Sequence, residues 1–183
     1  MATSTVLKDP SMKLKICLVG EGAVGKTSLI QRFVHDAFQD RYVATLGTRV
    51  TKKELQVKMP GSKKGENIFL MIWDVMGQKT VRDLLRDGWF HGSHGILMVC
   101  DMTRRHTLED LEGWKESVEE VAGVIPSLML ANKSDLTEES SMQREDLEVY
   151  SKRWGCPYIL TSAKTGEGVE RAFEEIARLV LNG

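Results

Sequence analysis

Short apolar runs alternate with amphipathic stretches along most of the chain. The runs occupy 14–19, 68–73, 95–100, 128–131 and 158–160, each bounded by Gly, Asp, Asn or Pro. They have the length of strands, and their unbroken apolarity predicts strands covered on both faces, as in a parallel sheet. The charged, mixed segment 48–58 predicts an edge strand instead. Between the runs, apolar side chains recur at three- and four-residue intervals, which predicts helices with one buried face. These are Leu29, Ile30, Phe33 and Val34; Leu108, Leu111, Trp114, Val118 and Val121; Leu147, Tyr150 and Trp154, with Gly155 placed as a C-cap; and Val169, Phe173, Ile176 and Val180. Strands alternating with helices predict an α/β fold with one open sheet, whose ligand sites lie at the C-terminal strand ends.

A length of 183 residues suits one domain with a substantial core. The polar start, 1–12, which contains Pro10, is expected to be a disordered segment, followed by the domain at 13–183. The segment 59–67 reads as a polar loop. A formal net charge of −1 gives no support to general nucleic-acid or anionic-membrane binding, which usually shows a basic excess. Cys17, Cys100 and Cys156 are odd in number and widely spaced, which argues against a disulfide framework or a CxxC metal site and for a reduced, cytoplasmic setting. No signal-peptide core, myristoylation glycine or C-terminal prenylation cysteine is present, so no membrane anchor is expected in this chain. The charged segments 101–120 and 137–148 read as solvated helix faces.

The first strand runs into "GEGAVGKTS", residues 20–28, which fits G-x-x-x-x-G-K-[ST] at Gly20, Gly25, Lys26 and Thr27. Glycines let the backbone curl so that successive N–H groups, here those of Glu21, Gly22, Ala23, Val24 and Ser28 among them, converge on phosphate oxygens at a helix N-terminus. Lys26 supplies a point charge for β- and γ-phosphates, and Thr27 a hydroxyl for Mg²⁺. A Gly-rich turn that merely caps a helix would leave the Lys and Thr at its apex unexplained. Kinases, ATPases and GTPases all share this cradle. The base is chosen further along, where "ANKSD" and "TSAKTGEG" each follow a strand. The Asp135 carboxylate can accept from both the ring N–H and the exocyclic amino group of guanine, a donor pair that adenine lacks.

Five motifs in order, "GEGAVGKT", "ATLGT", "WDVMGQ", "NKSD" and "TSAK", make the chain resemble a Ras-superfamily small GTPase over 13–180, most similar in type to the Rab and Ran branches. The resemblance implies a P-loop NTPase fold with a mostly parallel six-stranded sheet, one antiparallel edge strand and helices on both faces. It also implies that Asn132 and Lys133 brace the phosphate loop and cover the base, that Ser162, Ala163 and Lys164 support guanine, and that Phe38 packs on the base. A core residue is the plainer reading of Phe38. Rab proteins carry lipid on C-terminal cysteines and Ran an acidic tail; neither is found in "ARLVLNG".

Mg²⁺ keeps several waters, so few protein ligands are needed. Thr27 and Thr45 are expected to be direct ligands, and Asp74 to hold a metal-bound water. Thr45 matches the family's switch threonine, its plainer reading being a turn hydroxyl. A loop held by Thr45 only while the γ-phosphate is present would be ordered in one nucleotide state and released in the other. Gly77 offers a second such contact through its bare N–H, and Tyr42 is a further nucleotide-binding candidate in the first loop. Gln78 matches the water-orienting glutamine, so Lys26, Thr45 and Gln78 are the candidate catalytic residues. Arg41 lies near the place of a catalytic arginine in Gα proteins but one residue out of register, and a solvated role suits it better. Met76 stands where most relatives have a small residue, which bears on the hydrolysis rate more than on binding. The reading is therefore a GTP/GDP switch using Mg²⁺, slow alone, with effector, exchange-factor and GTPase-activating partners. Its rivals are a nucleotide-binding scaffold with little turnover and a small-molecule P-loop kinase, which "NKSD" and "TSAK" disfavour.

Overall fold

The computed structural model describes residues 12–38, 47–58, 65–78 and 86–183. Its strands are β1 (Met12–Val19), β2 (Thr48–Lys58), β3 (Gly65–Val75), β4 (Gly95–Asp101), β5 (Ser127–Asn132) and β6 (Tyr158–Thr161). They form one six-stranded sheet in the order β2-β3-β1-β4-β5-β6. All neighbouring pairs are parallel except β2 with β3, which run antiparallel with Thr48 opposite Val75 and Lys58 opposite Gly65. The helices are α1 (Lys26–His35), α2 (His106–Glu109), α3 (Leu111–Ala122), α4 (Arg144–Trp154) and α5 (Val169–Asn182), and residues 86–90 are also helical.

The period-two geometry of strands sorts the apolar runs into two cores. Leu14, Ile16 and Leu18 of β1, with Leu97, Val99, Leu128 and Leu130, face α1 and α5. Cys17 and Val19, with Ile96, Met98, Cys100, Met129 and Ala131, face α3, α4 and residues 89–90. Phe33 of α1 stacks on Phe173 of α5 with centroids 4.1 Å apart, closing the first layer. The sheet with its antiparallel edge strand and helices on both faces matches the expected fold class.

Three local expectations need correction. The run 68–73 is not sealed on both faces: Ile68, Leu70 and Ile72 are buried, while Phe69, Met71 and Trp73 are half-buried. The neighbouring strands supply lysines on that face, with Lys15 Nζ 3.9 Å from the Trp73 ring centroid and Lys52 Nζ 3.5 Å from that of Phe69. Aliphatic lysine stems can cover a ring while the ammonium stays wet. The periodicity from Leu108 to Val121 is not one helix, because the chain bends at Asp110 between α2 and α3; its φ of −67° and ψ of −17° are still helical, so the apolar spacing survives the bend. Strands also extend past their apolar runs. Met12, assigned above to the N-terminal segment, begins β1, and Gly65, Glu66 and Asn67, assigned to a loop, begin β3. Gly155 closes α4 in a left-handed conformation, φ 62°, as its position predicts.

Candidate functional site

The C-terminal ends of β1, β3, β4, β5 and β6 bring the motifs to one edge of the sheet. After β1 the chain turns at Gly20, φ 136°, where a Cβ would stand 2.2 Å from the Val99 carbonyl oxygen of β4. Only glycine fits there. Ala23 follows in the left-handed region at φ 61°, which costs an ordinary residue roughly 1–2 kcal/mol. Gly25, φ 101°, caps α1 and would place a Cβ 2.3 Å from Asn132 Nδ2. Lys26 opens α1, and its amine donates to the carbonyls of Gly20 at 2.7 Å and Glu21 at 2.8 Å. The side chain is buried, and burial lowers its pKa to about 8 despite the opposing pull of Asp74 and Glu21. A desolvated cation beside a helix N-terminus and a curled loop is suited to an anion.

Thr27 Oγ1 donates to Asp74 Oδ2 at 2.5 Å. Asp74 sits within β3, one residue before its end, and is 2% exposed. The pair offers hard oxygen donors only, which suits Mg²⁺ with the rest of its octahedron in water and phosphate. Among the described residues no group of three or more His, Cys, Asp or Glu could hold a metal ion. Just past β3, a Cβ on Gly77 would stand 2.5 Å from the Glu21 carbonyl carbon and 2.6 Å from the Gly22 nitrogen. The segment after β3 thus lies against the phosphate loop, backbone to backbone. Exposed Gln78 follows, and half-buried Met76 packs on the α3 side while its N–H donates to the Gly47 carbonyl at 3.2 Å. Arg41, Tyr42 and Thr45 lie outside the described residues.

On the base side, Asn132 ends β5 and is almost fully buried. Its Nδ2 donates to the Val24 carbonyl at 2.9 Å, and its Oδ1 accepts from Thr161 Oγ1 at 3.3 Å and the Ala163 N–H at 3.2 Å. One amide therefore ties the phosphate loop to the last strand and its loop. Ser162 Oγ donates to Asp135 Oδ1 at 2.6 Å, fixing that carboxylate, and accepts from the Thr165 N–H at 3.1 Å. Lys133, at φ 65°, pairs with Asp101 at 2.6 Å. Phe38 packs half-buried against the α1/α5 core, Ser28 lies in the first turn of α1, and Lys164 is exposed.

The motifs do not single out Arg32, Asp101 or Arg104, yet all three touch this edge. Arg32 donates through Nε to the Ala163 carbonyl at 2.9 Å and through Nη2 to the Lys164 carbonyl at 2.6 Å. Asp101 ends β4 just as Asn132 ends β5, in register beside it, and that position was the available signal. Arg104 joins Asp101 to Gly22, a contact that only the folded chain brings about.

A model of the Ras family matches residues 15–182. Over 176 residues, 94% of this chain and 75% of the relative, the sequence is 33% identical to Ras-related protein Rab-32C of Dictyostelium discoideum. It is 32% identical over 168 residues to Ras-related protein Rab-13 of Canis lupus familiaris, covering 91% and 79% of the two chains. Against Ras-related protein Rab-26 of Rattus norvegicus it is 34% identical over 166 residues, 90% of this chain and 62% of that one. The chain belongs to the Ras superfamily, as a GTP-binding small GTPase with Rab-related homologues.

Proposed function

We propose that this protein is a Mg²⁺-dependent switch that hydrolyses GTP to GDP and phosphate, slowly when alone, and reports the γ-phosphate to effector proteins through its two switch loops. The observation that carries the proposal is the approach of Gly77 to Glu21 and Gly22, because a change at the phosphate loop is then felt directly by the segment after β3. The loop N–H groups and the Lys26 amine bind the phosphates, and Asp135, held by Ser162, takes the guanine edge. Thr27 and Thr45 would hold Mg²⁺ directly and Asp74 through a water, and the ion would supply positive charge against the phosphates. Gln78 orients the attacking water, accepting from it while donating to the developing charge. Tyr42 is a further nucleotide contact, whereas Phe38, packed against the α1/α5 core, keeps its plainer reading. Exchange factors and GTPase-activating proteins are the expected regulators. A cytoplasmic setting is supported by three free, buried cysteines.

Single-turnover phosphate release tests the assignment of Gln78. Gln78→Leu is expected to slow hydrolysis at least about 10-fold with GDP affinity unchanged, since it removes only the positioning of water. Equal rates for parent and variant would remove Gln78 from the chemistry, and no release from either with activating partners present would favour a non-hydrolysing scaffold. Gly77→Ala probes the contact itself. Its methyl would stand within 2.7 Å of the Glu21–Gly22 peptide, so one of the two segments must shift, and hydrolysis should fall roughly 10- to 100-fold, as overpacking of 1–3 kcal/mol implies, with GDP binding less affected. A variant that hydrolyses GTP like the parent would show that the two segments are not coupled.

A further inference from the structure

Arg104 stands in the turn between β4 and α2, outside every motif that identifies the family. Its guanidinium serves two partners at once. Nε donates to Asp101 Oδ2 at 2.9 Å and Nη2 to the Gly22 carbonyl at 3.0 Å, while Nη1 lies 3.9 Å from Glu21 Oε2. The Asp101 side chain is fully buried, and its Oδ1 accepts from the Thr103 N–H at 3.0 Å and Thr103 Oγ1 at 2.7 Å. Burial pushes its carboxyl up, but the bonds from Lys133, Thr103 and Arg104 outweigh that and keep it below the usual range. Asp101 is thus a fixed anion, and a planar guanidinium bonded to it cannot easily swing into solvent. On its other side, Glu21 Oε2 meets His106 Nε2 at 3.0 Å, so the loop's carboxylate is also held.

The consequence lies in the Gly22–Ala23 peptide. A trans peptide is planar, so the Gly22 carbonyl and the Ala23 N–H point to opposite sides. With the carbonyl bonded to Arg104, the N–H is turned the other way, and Ala23 is held at a φ of 61° that an alanine does not favour unaided. Gly77 lies against the adjoining Glu21–Gly22 peptide, which leaves the loop little room to rotate back.

We propose that Arg104 is a positioning residue for the phosphates: through the Gly22 carbonyl it presets the Ala23 N–H toward the nucleotide's β-phosphate, and through Asp101 it links that loop to Lys133 of the base motif. The inference rests on the guanine-nucleotide reading of the site. An ordinary surface arginine would solvate its fork; this one divides it between a buried carboxylate and a backbone carbonyl of the loop.

Binding of GDP and of GMP to the Mg²⁺-supplied protein, stripped of nucleotide, separates this role from general support of the fold. Arg104→Ala is expected to weaken GDP roughly 10-fold, the lower end of what a charge-assisted hydrogen bond is worth, and GMP by less than about 3-fold, so the ratio of the two affinities falls. Arg104→Lys keeps the charge but not the fork, and should lower the same ratio by a smaller factor, which also serves if the alanine variant does not fold. Arg105→Ala, next in sequence but paired with Asp146, should leave both affinities unchanged. Equal weakening of GDP and GMP, or no change in either, would overturn the role given to Arg104. A parent protein that binds neither nucleotide would take down the proposed function as well, whereas a parent that binds GDP beside an unaltered variant ratio would count against Arg104 alone.

Discussion

Asp135→Asn is expected to lower the affinity for GDP roughly 10²- to 10⁴-fold, the loss of two hydrogen bonds to a charged acceptor, and to leave a protein that prefers xanthine nucleotides. The carboxylate has two oxygens and no proton. One accepts from Ser162 Oγ at 2.6 Å, which fixes its plane, and the free lone pairs suit the paired N–H donors on the guanine edge. An amide of the same size puts an NH₂ where one acceptor stood. Guanine then meets donor against donor, while xanthine, with a carbonyl in place of the exocyclic amine, meets a donor with an acceptor. Competition binding with GDP, XDP and ADP reads this directly. A variant that keeps guanine preference within about threefold would show that Asp135 does not touch the base, since even one lost charged hydrogen bond is worth more.

Lys26→Met should separate affinity from stability. Burial holds the amine near pH 8 in the folded chain against an ordinary value of 10.5, so its charge disfavours the folded state of the polypeptide by about 3 kcal/mol below pH 8. A lysine with a lowered folded pKa reverses the usual trend. The penalty is complete below pH 8 and disappears as pH rises from about 8 to 10.5, so the nucleotide-free protein should gain stability across that window. Methionine removes the charge but also leaves the Gly20 and Glu21 carbonyls without their donor, so the two effects largely offset at pH 7, and what should change is the pH dependence: the rise between pH 8 and 10.5, read in urea unfolding, should be lost. GDP affinity should drop roughly 10²- to 10³-fold in the same protein, as loss of a desolvated charge partner implies. A variant that rises in stability between pH 8 and 10.5 as much as its parent does would contradict the placement of this charge.

Much of this site is legible before folding because its parts are local. The turn at Gly20 and the cap at Gly25 need residues without a Cβ, and the sequence has them beside Lys26 and Thr27 in one short stretch. Asp135 and Ser162 each follow a strand, so their meeting needs only the adjacency of β5 and β6. The positions that escape sequence reading are those whose meaning depends on what the sheet brings beside them. Arg104 looks like a loop charge and Arg32 like a charge on the polar face of α1 until the fold places them against carbonyls of the nucleotide loops. The half-open face of β3 is hidden for the same reason, since Phe69 and Trp73 read as core until Lys52 and Lys15 of the flanking strands appear above them. Asp110 carries no helix-breaking signal, and the bend there keeps helical angles, so periodicity alone cannot mark it.

If one phosphate on a guanine nucleotide is both substrate and signal, its release must depend on the base and on the metal, and single-turnover phosphate release reads both. Purified protein loaded in turn with GTP and with ATP, with Mg²⁺ and after chelation by EDTA, is predicted to release phosphate from GTP only and only with the metal. Release from ATP at a comparable rate, or Mg²⁺-independent release from GTP, would show that this protein is not a guanine-specific, metal-dependent switch.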